Sequence, residues 1–412
     1  MQYKKLVIDF RMHKASGIGT YIKSLLPFLV EKFEVILLGS RAEIQDYAWS
    51  KSVQILECEC KIYSVKEQLE LPLTIPECDI FWSPHFNIPI LPIRAKFRAV
   101  TIHDVFHLAF YDTLNFMQKI YAKTLFNQAL SRSDIVLSVS NFSRSEILKY
   151  TKTGKNIFVV PNAIDERRFN RHCDSNTLEA AAKYYSLPDD FVLFVGNVKP
   201  HKNLKNLLFA LEKTNLNLVI VGKKDGFITG DSVIAEIIRT KNLSNRIFFT
   251  GYVKDVDIAA IYNLAKLFVF PSLYEGFGIP PLEAQACSCP VVCSNAASLP
   301  EVCGDSVVYF DPNDIEDMRN KIQTVLNDKN LQNELRLKGF ENIKRFGVDF
   351  RHFNGIIYKD NVSYNAVGFE LAEEISPDYM NKTYNIVYYP EKIILNDEEV
   401  TQIILKSIKE NK

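Results

Sequence analysis

Long apolar stretches are missing from this 412-residue chain. No uninterrupted apolar run approaches the ~20 residues that a membrane-spanning helix needs. The first ten residues hold only Leu6-Val7-Ile8 between Lys4, Lys5 and Asp9. That run is too short for the centre of a signal peptide and suits a first β-strand, so a cytoplasmic protein is expected. Charge of one sign is lacking too: Lys and Arg total 49, as do Asp and Glu. A neutral chain carries no electrostatic footprint for nucleic acid, and no such partner is expected. Cys-x-x-Cys pairs do not occur among the eight cysteines, and histidines do not cluster beside them. Zinc requires ligands at finger-like spacing, so no metal is expected, and the cysteines read as reduced small hydrophobes. Gly17-Ile18-Gly19 lacks the third glycine of a dinucleotide fingerprint, which excludes NAD and leaves no cofactor expected.

What is present is ordinary globular material, 47% hydrophobic and 24% charged. At ~100–200 residues per domain the length accommodates two or three domains. Short β-branched runs alternate with longer helical patterns, the rhythm of parallel βαβ units. Leu6–Asp9, Glu34–Leu38, Ile80–Trp82, Arg98–Ile102, Ile135–Val139 and Ile157–Val160 read as strands. Gly17–Phe33, Leu114–Arg132 and Ser143–Tyr150 read as helices. The rhythm restarts at Phe191–Val195 and continues through Leu218–Val221, Ile247–Thr250, Leu267–Phe270, Pro290–Cys293 and Val307–Phe310. The fold class is therefore α/β, two Rossmann-like doubly wound parallel-sheet domains. Facing each other, they would enclose a cleft, with ligands beyond the carboxyl ends of the strands. Expected boundaries are 1–168 and 169–345, with a linker between Asp165 and Pro188. A crossover helix would follow at 346–360. Residues 361–412 form an unassigned extension, with strand-like Thr383–Tyr389 and a helical pattern over Asp397–Lys409.

Charge is uneven along the first half. Glu31 to Ile80 holds five basic and ten acidic residues, whereas His85 to Lys155 holds ten basic and four acidic. Two solvated faces of one domain would account for this. The alternative is a basic face that meets anionic lipid or a phosphorylated acceptor. Phe116, Ile120, Tyr121, Leu125 and Phe126, interleaved with Lys119, Lys123 and Arg132, divide similarly between an ordinary half-buried helix and one pressed on a membrane. His85 and His107 are either acceptor-side groups or ordinary loop and core histidines, and Trp82 reads as core.

The densest chemical signal is Pro271–Glu283, PSLYEGFGIPPLE. It follows a strand, passes Glu275, Gly276 and Gly278, and enters a helix at Pro280-Pro281, where a missing N–H costs little. The glycines let backbone pass close to a ligand. The helix start offers free N–H groups and a partial positive charge to a phosphate or sugar oxygen. Glu275 and Glu283 can thus flank one ligand from loop and helix. The plainer reading is a structural strand–turn–helix carrying surface glutamates.

This segment, E-G-F-G-x-P-x-L-E, resembles the signature of retaining nucleotide-sugar glycosyltransferases of the GT-B fold, glycosyltransferase family 4. The resemblance extends over residues 1 to about 360. Gly196-Asn197-Val198-Lys199-Pro200-His201-Lys202-Asn203 is similar to the family's phosphate-contacting segment. Tyr252-Val253 resembles the strand end that receives the nucleoside base. His103-Asp104 resembles the "HD" element, Ser16-Gly17-Ile18-Gly19-Thr20 the first glycine loop, and Pro161–Asp165 the entry to the hinge.

The resemblance implies roles. Lys202 would contact the donor pyrophosphate and counter charge on the leaving phosphate. Glu275 would bind hydroxyls of the transferred sugar, and Glu283 those of the ribose. The Gly276-Phe277-Gly278 backbone would lie against sugar and phosphate. His103 would hydrogen-bond the donor sugar near its C6 hydroxyl. Gly17 and Gly19 would let the first helix approach phosphates or acceptor. Relatives often carry arginine where this chain has Asn197; Lys199, two residues on, is the candidate substitute.

The implied enzyme is a metal-independent retaining hexosyltransferase, with mannose favoured. It would use a nucleotide-diphosphate sugar, GDP-mannose first and a UDP-sugar second. The acceptor would be a saccharide or a lipid-linked saccharide at the inner membrane face, in surface polysaccharide synthesis. A non-catalytic GT-B subunit partnering another glycosyltransferase is the alternative, and an epimerase or phosphorylase on the same architecture a third.

Overall fold

The computed structural model describes residues 4–111, 115–222 and 232–346. Apart from Phe346, the expected crossover helix and the whole 361–412 extension lie outside these residues. The chain divides into two compact units between Ala163 and Ile164, a few residues before the boundary expected at 168.

The first unit is built on a sheet of strands β1 (Lys4–Asp9), β2 (Phe33–Gly39), β3 (Gln54–Glu57), β4 (Cys78–Ser83), β5 (Ala95–Ile102), β6 (Ile135–Ser138) and β7 (Ile157–Val159). Their order is β3-β2-β1-β4-β5-β6-β7, with every pairing parallel. Helices cover both faces of such a sheet, so its inner strands are continuously apolar. Leu6, Val7 and Ile8 are accordingly all fully buried. Trp82 is core, as expected, and its indole N–H donates to Thr101 Oγ1 at 3.0 Å. Helix Phe116–Arg132 starts at a reciprocal cap between Asn115 and Gln118.

The second unit repeats the plan with β8 (Phe191–Val195), β9 (Asn217–Val221), β10 (Ile247–Gly251), β11 (Leu267–Phe270), β12 (Val291–Ser294) and β13 (Val308–Phe310). The order is β10-β9-β8-β11-β12-β13, again wholly parallel. The chain therefore reverses its direction of winding between β1 and β4 in the first sheet, and between β8 and β11 in the second. Loops leaving the carboxyl ends of these strand pairs diverge and leave a crevice, the usual ligand position in open α/β sheets.

The sequence rhythm missed several elements. Strand β3 is a four-residue edge strand, and helix Val65–Thr74 carries Pro72 in its last turn. The polar stretch expected to be linker contains helix Ser175–Tyr184, capped by Asp174. All eight cysteines are free, and all but Cys173 are buried. Burial pushes the Cys78 and Cys289 thiols up to about 12, consistent with their reading as small hydrophobes.

Candidate active site

The second unit brings two distant loops together at its β8/β11 switch point. After β8, Pro200–Lys202 form a single tight turn. Asn203 then takes a left-handed conformation, φ 57°, and its amide donates to Pro312 O at 2.8 Å. This turn sends the Lys202 ammonium to Glu275 Oε1 at 2.5 Å, with both side chains largely buried. The ammonium also stands 5.7 Å from the Phe270 ring centre. The loops are stitched by backbone as well, since Leu273 N–H donates to His201 O at 2.7 Å.

The bend from Glu275 to Gly278 is latched from behind. Ser298 Oγ lies 2.9 Å from Glu275 O and 2.8 Å from Phe277 O. Gly278 has φ +101°, and a Cβ there would come within 2.6 Å of Leu299 Cδ2. Helix Ile279–Ala286 starts directly afterwards and has no side-chain cap; Pro280 and Pro281 carry no N–H, so of its first three residues only Ile279 has a donor to offer. The Phe277 ring is buried edge-on against Phe346, 5.4 Å between centres. Glu283, in that helix, accepts from Tyr262 Oη at 2.9 Å. Burial is the main reason its carboxyl pKa is raised to about 7; the Tyr262 bond and Arg168 oppose the rise.

Lys199 and Asn197 are exposed on the same loop, and Asn197 Oδ1 accepts weakly from Lys199 N at 3.4 Å. Tyr252 and Val253 follow β10, the edge strand, away from the β8/β11 pair. Tyr252 is 69% exposed and Val253 buried. Gly251, with φ +72°, makes the turn that presents Tyr252.

In the first unit, His103 lies just past β5. Its Nε2 is 3.0 Å from Pro84 O, and its ring meets Tyr21 edge-on at 5.0 Å. Burial lowers its pKa to about 4, so the ring is neutral near pH 7. Gly17 has open space where a side chain would stand. At Gly19 a Cβ would collide with the His13 carbonyl, so that glycine is required by the chain's own packing.

A second polar cluster sits at the β1/β4 switch point. Arg11 is bidentate to Asp9, with Nε–Oδ1 at 2.8 Å and NH2–Oδ2 at 2.6 Å, and reaches Glu67 Oε1 at 2.6 Å. Glu67 Oε2 accepts from Asn87 Nδ2 at 2.7 Å and from Tyr63 N at 2.8 Å. Two buried carboxylates and a buried guanidinium are tolerable because each is paired and further hydrogen-bonded. A small recess lined by Asp9, Arg11, Glu67, Pro84, His85 and Asn87 opens beside them.

Comparison with known proteins agrees with both units. Residues 15–168 match the family described as Glycosyltransferase Family 4, and residues 181–341 match Glycosyl transferases group 1. An O-antigen chain mannosyltransferase B of Escherichia coli is 31% identical over 278 residues, 65% of this chain and 70% of that one. The chain belongs to glycosyltransferase family 4. A serotype-specific mannosyltransferase WbdA of Escherichia coli is also 31% identical, over 52% of this chain, but the chain spans only 27% of its length. Among solved structures, Anabaena HepE in complex with UDP and glucose superposes with TM-score 0.67 at 17% identity. That match covers 84% of this chain and 96% of the other, and it bears on the fold alone.

For this family 4 glycosyltransferase, the structure joins Lys202, Glu275, Gly276, Phe277 and Gly278 into one loop pair. Glu283 follows in the adjoining helix. Tyr252 and Val253 belong to the same unit but to its edge strand; His103, Gly17 and Gly19 belong to the first unit. Sequence reasoning passed over Arg11, Glu67, Asn87 and Ser298. Ser64-x-x-Glu67 is a helix-start pattern that marks Glu67, and Ser64 Oγ does accept from Glu67 N at 3.1 Å. Nothing local marks Arg11 as its partner. Among the described residues, no group of three or more His, Cys, Asp or Glu is placed to hold a metal ion.

Proposed function

We propose that this glycosyltransferase transfers mannose from GDP-mannose, with retention and without a metal, to a hydroxyl of a saccharide or lipid-linked saccharide in surface polysaccharide synthesis. The mannosyl donor is favoured because both Escherichia coli relatives are mannosyltransferases. The observation that carries the reading is the Lys202–Glu275 ion pair at the β8/β11 switch point. Lys202 is a cation with little solvent around it, where a diphosphate gains most from an ammonium. On donor binding, Lys202 exchanges Glu275 for phosphate oxygens, and Glu275 turns to sugar hydroxyls. The Ile279 N–H and the partial positive charge at the start of helix Ile279–Ala286 support the same anion, and Lys199 supplies the charge that relatives take from arginine. Glu283 binds the ribose, Tyr252 and Val253 border the base, and His103, neutral, hydrogen-bonds the sugar. The leaving phosphate, steadied by Lys202, takes the proton from the acceptor hydroxyl.

Acceptor binding falls to the first unit. Its helix Phe116–Arg132 exposes Phe116, Met117 and Ile120 next to Lys119 and Lys123, a composition suited to an anionic lipid surface. No helix among the described residues is long and apolar enough to cross a membrane, so a peripheral contact at the cytoplasmic face is proposed.

Two measurements test the reading. In a thermal-shift series, GDP-mannose should stabilise the protein above UDP-glucose and UDP-N-acetylglucosamine, by about 2–3 kcal/mol at a hundredfold excess over Kd. Equal shifts from all three would remove the mannosyl assignment. Lys202→Ala should abolish nearly all turnover, whereas Glu275→Ala should lose at least about a hundredfold while still binding donor. Wild-type turnover in both variants would contradict the site.

A further inference from the structure

We infer that Tyr63, with Tyr121 beside it, binds a hydroxyl of the acceptor sugar and is held in place for that purpose by the buried Arg11–Glu67 cluster. The inference rests on the proposed transfer to a saccharide. Tyr63 stands just before helix Val65–Thr74 with φ 63°, a conformation unfavourable for a bulky residue. Strain of this kind persists only where the surroundings impose it. Here they do. The Tyr63 N–H is tied to Glu67 Oε2 at 2.8 Å, and Glu67 is fastened through Arg11 to Asp9 at the end of β1.

The hydrogen-bond directions of the cluster can be followed to the hydroxyl. His85 Nδ1 accepts from Asn87 N at 3.2 Å, so that nitrogen carries no proton. Burial lowers the imidazole pKa to about 3, so the ring is neutral and its proton sits on Nε2. Nε2–H then donates to Tyr63 Oη, 3.0 Å away. The Tyr63 hydroxyl hydrogen is therefore not used on His85, and it stands near Tyr121 and the Asp104 carboxylate without a hydrogen bond to either. Asn87 is oriented by donating Nδ2 to Glu67, which leaves Oδ1 to accept from Tyr121 Oη at 3.3 Å. Tyr121 has thus spent its proton and offers lone pairs. The two rings lie 6.4 Å apart, centre to centre. One tip that donates beside one that accepts matches an alcohol, which does both. Both rings are exposed in part and give an apolar wall for a sugar face. The cluster sits at the β1/β4 switch point, where the first sheet leaves its crevice.

The test uses the full chain, with octyl mannoside and octyl glucoside as probes in isothermal titration. Wild type should bind at least one. Tyr63→Phe keeps the ring and loses the hydroxyl, and should bind about tenfold more weakly. Its unfolding temperature should fall slightly, because the buried His85 Nε2–H loses its acceptor, whereas its stabilisation by GDP should not change. Tyr63→Asn, a residue at ease in the left-handed region, should unfold at no lower temperature than wild type and still lose the probe. Equal affinity in wild type and Tyr63→Phe, or binding of neither probe by wild type, would overturn the inference. Failure of the proposed donor shows separately, as absence of any shift with GDP or GDP-mannose.

Discussion

Glu283 holds its proton at a pH where most glutamates have lost theirs. Its folded pKa is about 7 against an ordinary 4.5, chiefly because burial penalises the charge. Below about pH 4.5 the carboxyl is neutral in both folded and unfolded chains and costs nothing. As pH rises toward 7 the unfolded chain releases the proton first, and stability falls. The gap corresponds to about 3 kcal/mol once pH exceeds the folded value. Glu283→Gln should therefore gain on wild type between about pH 5 and pH 8, by up to that amount. Urea denaturation at the two pH values checks this, and a constant difference would mean the carboxyl titrates normally. The residue itself was legible in the sequence through its spacing from Glu275. Its proton was not, because burial belongs to the packed helix and to Tyr262 above it.

At the scale of the element, the decisive piece is the bend between β11 and the helix behind it. Gly196 and Gly278 both stood out in the sequence, yet they differ physically. At Gly278 the backbone is left-handed and a Cβ would press on Leu299. At Gly196 a Cβ would meet the Phe194 ring no closer than 3.4 Å. Gly278→Ala should cost about 1–3 kcal/mol and weaken donor binding, while Gly196→Ala should fold almost as wild type. Parallel denaturation curves with nucleotide titration separate the two. Gly19 shows a third case, a glycine demanded by the carbonyl of His13. Glycine is visible in sequence, but whether it serves a turn, a ligand or a neighbouring carbonyl depends on the packed backbone. Helix Val65–Thr74 was hidden for a related reason, since Pro72 argues against a helix unless it falls in the last turn.

Taken whole, the first unit exposes apolar side chains on two of its helices. Val65, Leu69 and Leu73 recur along one helix, and Phe116, Met117 and Ile120 start another, all exposed. Apolar side chains next to lysines favour an anionic interface over bulk water. The protein should sediment with phosphatidylglycerol vesicles at low salt and be released at high salt. Phosphatidylcholine alone should retain less. Phe116→Ser with Met117→Ser should reduce retention without altering GDP stabilisation. No sedimentation at low salt would remove the membrane contact.

Local order in the sequence was enough for the two-domain α/β plan, the positions of most strands and the bend carrying Glu275 and Glu283, whereas Lys202 was marked only by the family resemblance. The plan, the strands and the bend follow from hydrophobic period, turn residues and helix starts, all of which act within a few residues. The tertiary structure alone decided which charges meet. Lys202 and Glu275 are 73 positions apart, and Arg11 and Glu67 are 56. A charge gives no local sign of the partner that will make its burial tolerable; only the tertiary fold chooses it, by setting the loops after β8 and β11 side by side and by bringing the helix that follows β3 up to the end of β1.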